Sequence, residues 1–479
     1  MKLFDFQRAG VAFLVKSRRA LLADPPGTGK TAQLIRTLQV LEEMGERPFP
    51  ALVVCPNSLK ASTWSAEAST WAPEVSVQVV DGNATQRRKQ LDSGAALTII
   101  NWESVRIHSR LAGYGTIALT EKESLPKELN GMGLRTVIAD EAHKMGDPKS
   151  AQSRALWAVM DQAEFRYELT GTPVNKDIGS MWSLLRGLEP TWFPARTKYL
   201  DYFAETSLSR FGGLDIHGLH PQHKDEFFRI VDPLMRRIPK EAALPQLPPV
   251  LPDQIRHTHM AAKQAKAYGQ MEKEMVALLN DIVVAPNPLA QLMRLNQFAA
   301  AHAMVNEDGS LTLSNPSAKV DDLVDLLEEM GDEPLVVAAV SRQLIELAAE
   351  HLTKLGITHG LVTGAQSIFE RQESIRRFQA GYLRVILLTS GAGAEGITLT
   401  RASTLLFMQV DYSNIKYLQM RDRVHRIGSE RHDAIRIIKQ ITPGTIEERK
   451  EEILATKGMR LEEVVRDRET LAKLLGAAA

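Results

Sequence analysis

The chain has 479 residues, about three times the usual single-domain length, so two or more domains are expected. Hydrophobic residues make up 44% and charged residues 24%, a balance that excludes a disordered, collagen-like or membrane-embedded chain. Lys plus Arg (58) equals Asp plus Glu (58), so nucleic acid would have to be gripped by a local basic cleft, and the single cysteine, Cys55, rules out an intrachain disulfide and fits a reducing interior. In the first third, short apolar runs alternate with longer helical patterns: ALLAD (20–24), ALVVCP (51–56), LTIIN (97–101), TVIAD (136–140) and FRYELTG (165–171). That alternation predicts a parallel sheet with crossover helices. Residues 180–237 change character, with MWSLLRGLEP, an aromatic group from Trp192 to Phe203, a His/Gly-rich loop and FFRIVDPLMRRI, and are read as a helical insertion.

Pro239, Pro245, Pro248, Pro249 and Pro252 crowd one segment, where missing amide donors and fixed φ discourage helix and central strand, and mark the linker. Residues 261–303 read as a second helical insertion, followed by a polar loop around 306–316. Alternation then resumes with LVVAAV (335–340), ITHGLVTG (357–364), RVILLTS (384–390), TLLFMQ (404–409) and AIRIIKQI (434–441). The expected domains are 1–240, with an insertion at about 187–240, and 241–479, with an insertion at about 258–315 and a C-terminal helical brace at about 445–479. The opening residues lack an apolar stretch of signal-peptide length, and no run reaches the roughly 18 apolar residues of a membrane span, so a soluble intracellular protein with no membrane partner is expected.

The strand ALLAD leads into Pro25-Pro26-Gly27-Thr28-Gly29-Lys30-Thr31 and then a helical pattern, which is the strand, loop and helix context of a phosphate loop. Small residues let amides reach phosphates at a helix N-terminus, Lys30 neutralises their charge, and Thr31 can ligate Mg²⁺. Asp24 stands where the strict pattern has its first glycine. About 110 residues on, Asp140-Glu141-Ala142-His143 ends another strand, where ligands collect in open α/β sheets. The two carboxylates can divide labour, Asp140 holding Mg²⁺ and Glu141 polarising the attacking water. Leu169-Thr170-Gly171-Thr172-Pro173 is a strand-to-turn junction with hydroxyls able to bridge the site to its neighbours, and Arg423 and Arg426 share one face if their segment is helical. Paired guanidiniums suit a γ-phosphate.

In this order the motifs resemble the Swi/Snf-type DNA translocases of helicase superfamily two, along essentially the whole chain. PNSLKASTW (56–64), TIINWES (98–104), DEAHKMGDPKS (140–150), LMRRIPKEAALPQLPP, QLMRLNQFAAAH, ERQESIRRFQ, LLTSGAGAEGITLT and HRIG also look like the family's blocks. The resemblance implies an α/β fold of two RecA-like parallel-sheet lobes in tandem, each with a helical insertion. It implies ATP and Mg²⁺ as cofactors and a DNA-stimulated ATPase that tracks along double-stranded DNA, forked or branched forms included. By analogy Gln7 reads adenine; Gly27, Thr28, Gly29, Lys30 and Thr31 bind phosphate; Asp140 with Thr31 binds the metal; Glu141 supports hydrolysis; Gln419 faces the nucleotide; and Arg423 and Arg426 reach across from lobe two. Ser58, Asn101, Gly364, Arg371, Thr389 and Ser390 match blocks that line the DNA path, and His143, Thr170 and Thr172 would couple hydrolysis to it. For His143 a structural hydrogen-bonding role is an equal alternative.

Pro25-Pro26, Gly146, Gly391 and Ser429 depart from the family's usual residues, and the loss of basic character at Gly146 and the changes at 391–395 bear on DNA grip or coupling, not on hydrolysis. Fork remodelling or strand annealing is therefore one alternative function, and a DNA-binding scaffold with a vestigial ATPase is another. The intact Lys30, Thr31, Asp140, Glu141, Arg423 and Arg426 argue against the scaffold, and the second lobe with its own arginines argues for a monomer. Trp64 and Trp71 are read as core rather than base-stacking residues, Arg236 and Arg237 as either phosphate contacts or solvated charge, and His217, His220 and His223 as a polar loop rather than zinc ligands. Specificity would come from DNA structure or a recruiting protein partner. The compact form resembles a bacterial or phage stand-alone enzyme, cytoplasmic there and nuclear if the host is eukaryotic.

Overall fold

In the computed structural model, residues 2–174, 177–208, 214–280, 288–393, 397–411 and 413–457 are described. The chain divides into two units, Met1–Pro245 and Gln246–Ala479.

The first unit, lobe one, contains β1 (Arg19–Leu22), β2 (Ala51–Cys55), β3 (Val77–Val79), β4 (Leu97–Asn101), β5 (Thr136–Asp140), β6 (Phe165–Leu169), β7 (Ala204–Leu208), β8 (Leu214–Leu219) and β9 (Met235–Arg236). Seven of these form one sheet in the order β3-β4-β2-β5-β6-β1-β9, with every pair parallel. A parallel sheet is covered on both faces, which is why its strands read as continuous apolar runs. The alternation is visible in β2, where Leu52 and Val54 enter one core while Ala51, Val53 and Cys55 enter the other.

The insertion in lobe one is less helical than its sequence suggests. Helices Arg196–Phe203 and Lys224–Val231 flank an antiparallel hairpin, β7 with β8, and the LMRR segment expected to extend the second helix becomes β9 instead. β9 pairs with β1 through Leu21 and Met235, so the insertion ends by closing the sheet edge beside the phosphate loop.

Lobe two contains β10 (Gln254–His257), β11 (His302–Val305), β12 (Leu311–Ser314), β13 (Leu335–Ala339), β14 (His359–Val362), β15 (Val385–Thr389), β16 (Thr404–Phe407) and β17 (Arg436–Ile441). Six of them form a parallel sheet in the order β10-β17-β16-β13-β15-β14. The proline-rich linker leads directly into an edge strand, β10, which itself contains no proline. The second insertion has helices Ala262–Asn280 and Pro288–Ala300, and the segment expected as a polar loop forms the hairpin β11–β12 around an Asn306-to-Gly309 turn. Of the expected C-terminal brace, helix Ile446–Lys457 is seen and 458–479 lie outside the described residues. Among the described residues no helix is long and apolar enough to cross a membrane.

Candidate functional site

Strand order brings three motifs to one edge of lobe one. β5, β6 and β1 are neighbours, and their register sets Asp140, Leu169 and Leu22 in one row at the carboxyl ends. The loop 23–29, the Asp-Glu pair and the Thr170–Thr172 turn all leave from that row.

The loop leads into helix Lys30–Glu43 through Gly29, which is left-handed at φ 71°. An added Cβ there would lie 2.5 Å from Gln7 Nε2, so position 29 needs glycine for both conformation and space. Gln7 is buried; its Nε2 donates to Thr28 O (3.0 Å) and its Oε1 accepts from Phe4 N (2.9 Å), which ties the first helix to the loop. Thr28 Oγ1 donates to Pro25 O (2.8 Å), and Lys30 Nζ donates to Asp24 O (2.8 Å) and Pro25 O (3.1 Å). Asp24 is fully buried and serves as a strut: its carboxylate accepts from Arg236 and from Ile238 N (3.1 Å), while Arg236 Nη2 donates to Phe6 O (2.9 Å). Burial pushes the Asp24 carboxyl up against the pull of Arg236 and Lys30. Arg236 therefore does structural work here, joining β9 to the loop.

Asp140 is buried and held from two sides. Trp64 Nε1 donates to its Oδ2 (2.8 Å), Glu141 N donates to its Oδ1 (3.0 Å), and Trp102 Nε1 donates to its carbonyl (2.9 Å). Burial and the neighbouring Glu141 raise its pKa to about 6, against the opposing effects of Trp64 and Lys30. Glu141 is a non-glycine residue at φ 55°, a conformation costing about 1–3 kcal/mol that persists where surrounding structure enforces it. Glu141 Oε2 lies 3.3 Å from His143 Nδ1, which lies 3.0 Å from Thr170 Oγ1, and that hydroxyl accepts from Thr172 N (3.1 Å). The expected coupling residues are thus a continuous polar path from the Asp-Glu turn to the Thr-Gly-Thr turn.

The other expected residues spread over both lobes. Ser58 precedes a six-residue π-helix, Lys60–Ser65, and its hydroxyl has no hydrogen-bond partner among the described residues. Asn101 ends β4 and donates to Glu103 Oε2 (2.7 Å). In lobe two Gly364 is exposed after β14, Arg371 is half-buried on helix Ile368–Gln379, and Thr389 ends β15. Ser390 faces inward, 2% exposed, with its hydroxyl 3.4 Å from Ala339 O, so it ties two strand ends together instead of offering a surface donor.

Gln419 and Arg423 lie on helix Asn414–Val424, but that helix stops before Arg426. His425 leaves helical geometry and its Nε2 lies 3.0 Å from Pro248 O, so the two arginines straddle a helix end rather than sharing a helical face. Arg423 is buried, and Arg426 Nη1 donates to Ile397 O (3.1 Å). Of the departures at 391–395, residues 394 and 395 lie outside the described residues.

Sequence reasoning missed several contributors. Trp64 is core, as expected, yet it also orients Asp140; the π-helix turns both Lys60 and Trp64 inward, four positions apart. Trp102, Asp24 and Arg236 were likewise not legible, because each acts through a residue tens or hundreds of positions away. Among the described residues no three His, Cys, Asp or Glu side chains gather to hold a metal. A Thr31 hydroxyl and an Asp140 carboxylate beside a phosphate loop are nevertheless the hard oxygen donors that suit Mg²⁺, which takes few protein ligands and completes its shell with water and phosphate.

The SNF2-related domain matches residues 6–304 and the helicase conserved C-terminal domain matches 318–428. The transcription regulatory protein SNF2 of Saccharomyces cerevisiae is 28% identical over 483 residues, covering 93% of this chain and 26% of that protein. The DNA annealing helicase and endonuclease ZRANB3 of Bos taurus is 24% identical over 434 residues, covering 89% of this chain and 37% of that protein. The chain thus spans about a quarter to a half of the length of the curated relatives it matches. Among solved structures, the Sulfolobus solfataricus SWI2/SNF2 ATPase core in complex with dsDNA has a TM-score of 0.45 at 20% identity, covering 100% of this chain and 98% of that one.

Proposed function

The chain belongs to the SNF2-related domain family, with a helicase conserved C-terminal domain behind it, and from that premise we propose that it is an ATP-driven motor that tracks along double-stranded DNA and remodels what it meets there. The observation that carries this reading is the row of Leu22, Leu169 and Asp140, which gathers the phosphate loop, the Asp-Glu pair and the Thr-Gly-Thr turn.

Amides of residues 27–31 and the Lys30 ammonium hold the nucleotide phosphates, with Gln7 beside the loop to border the base. Lys30 needs only to swing from the carbonyls of Asp24 and Pro25 to reach them. Thr31 and Asp140 would hold Mg²⁺, which supplies charge neutralisation at the transferring phosphoryl group. Glu141 orients the attacking water and takes its proton, and His143 transmits the state of Glu141 to Thr170 and Thr172. Arg423 and Arg426 add positive charge to the transition state, and Gln419 faces the nucleotide. Ser58, Asn101, Gly364, Arg371 and Thr389 contact DNA backbone, which predicts little sequence preference and strong salt sensitivity.

Fork remodelling or strand annealing is a second reading, supported by the likeness to a DNA annealing helicase. ATP hydrolysis by the purified chain, measured with no nucleic acid, duplex DNA, single-stranded DNA, forked DNA and duplex RNA, separates the readings. Duplex stimulation supports the translocase, fork preference supports remodelling, and no hydrolysis under any condition overturns both. Glu141→Gln should abolish turnover while ATP binding stays measurable; wild-type turnover would remove Glu141 from its role.

A further inference from the structure

Lobe two contains a cavity of about 230 Å³ lined in part by Met293, Asn296, Val340, Ser341, Arg342 and Gln409. It lies at the carboxyl ends of β13 and β16. From β13 the chain crosses to β14 on one side of the sheet, whereas from β16 it continues to β17 on the other, so the crevice between them is a topological switch point, the place where open α/β sheets bind ligands.

Three features make this crevice more than a gap. First, helix Arg342–Lys354 begins there, 13 residues long with Ser341 as its cap, and the amides of Arg342 and Gln343 open the helix without intrahelical acceptors. Second, the floor is rigidly built. Gln409 is 1% exposed, its Oε1 accepts from Ser341 N (3.0 Å), and its Nε2 donates to Asn296 O (3.1 Å), which clamps helix Pro288–Ala300 to the start of the other helix. Third, the Asn296 side chain is 7% exposed, opens onto this cavity, and has no hydrogen-bond partner for its carboxamide among the described residues. Its carboxamide is not sealed from solvent, so a group that enters the cavity can take up its donor and acceptor capacity.

The chemistry around Asn296 selects an anion. Arg342 is 56% exposed at the rim with a 3.4 Å contact to Glu346, no acidic side chain lines the cavity among the described residues, and the helix start adds amide donors and positive dipole. The polar groups at its floor, Asn296, Ser341 and Gln409, are each at least nine-tenths buried, too recessed for a duplex backbone, which meets exposed donors. The volume is below the roughly 300–1,000 Å³ of pockets for drug-sized ligands, leaving room for a small molecule but not a nucleoside triphosphate. Met293 and Val340 give a short carbon skeleton an apolar wall.

We propose that lobe two carries a second ligand site, for a small phosphomonoester, in the crevice where the unpartnered Asn296 carboxamide shares a cavity with Arg342 and the opening turn of helix Arg342–Lys354. The site is built from lobe-two residues alone and stands whether or not the motor reading holds.

Calorimetric titration of glycerol 3-phosphate into the full chain tests it, with Lys30→Ala as the background so that the phosphate loop does not contribute. The expected result is saturable one-to-one binding in Lys30→Ala, weakened about tenfold or more by adding Arg342→Ala or Asn296→Asp, as loss of a charge-assisted bond or introduction of a like charge requires. Circular dichroism checks the buried substitution; if Asn296→Asp unfolds the protein, the surface change Arg342→Ala decides alone. Binding that disappears in Lys30→Ala, that ignores Arg342→Ala, or that is absent altogether overturns the proposal. Displacement of the ligand by duplex DNA also overturns it, by assigning the crevice to backbone phosphate.

Discussion

Asp140 owes its position to two tryptophans that lie far from it in sequence. The Trp64 indole N–H donates to the carboxylate and lowers its pKa against burial and Glu141, while Trp102 fixes the backbone that carries it. Replacing Trp64 by Phe keeps the packed ring and deletes one hydrogen bond to the ionised form. A bond of that type is worth about 1.5–3 kcal/mol and one pH unit corresponds to about 1.4 kcal/mol, so the acid limb of the ATPase pH profile should move up by about one pH unit or more. An unmoved limb in Trp64→Phe would show that the indole only fills space. Asp24 shows the same dependence on a distant partner. Arg236→Met leaves a fully buried carboxylate without its guanidinium and should lower unfolding free energy by about 3 kcal/mol in chemical denaturation, with Asp24→Asn in the same chain restoring part of the loss.

At the scale of elements, β6 carries two roles on its two faces. Phe165, Tyr167 and Leu169 enter one core, while Glu168, on the opposite side, is fully buried with both carboxyl oxygens unpartnered among the described residues. It lies against the helix Ile178–Leu188, where a Cβ added to Gly187 would come within 2.6 Å of its Oε1 and 3.1 Å of Met145, the last residue of the turn that follows Glu141. Burial holds the Glu168 carboxyl well above the usual carboxylate range, so it is neutral in the folded chain and ionises on unfolding above about pH 4.3. The unfolded state then binds fewer protons than the native state, and stability falls with rising pH by about 1.4 kcal/mol per pH unit until the native carboxyl ionises. Glu168→Gln should flatten that dependence between pH 5 and pH 7 in urea titrations; an equal slope in both proteins would mean that Glu168 finds a compensating partner in solution.

At the scale of the molecule, each lobe is a parallel sheet with its own double-sided core, and the proposed motor uses residues from both. Arg423→Ala should lower ATP hydrolysis by about 10³-fold or more if it stabilises transition-state charge, with duplex DNA affinity little changed. Equal turnover would remove the arginine role, and a parallel loss of DNA affinity would move Arg423 to the DNA path.

The family, the paired α/β lobes and the nucleotide motifs were determined by sequence alone, because parallel strands buried on both faces print themselves as apolar runs and a phosphate loop needs its residues in contiguous order. The ten sheet strands expected from such runs are all present, from β1 to β17, within a residue or two at their ends. Short or exposed strands were a different matter: β3, β9, β10 and the hairpins β7–β8 and β11–β12 have little apolar signal, since an edge or hairpin strand is specified by the partner it pairs with. The helix end between Arg423 and Arg426, the clasp of Trp64 on Asp140, the Asp24–Arg236 strut and the open carboxamide of Asn296 were likewise decided only by tertiary structure. Each depends on groups brought together from distant parts of the chain, and local propensity carries no record of such a meeting.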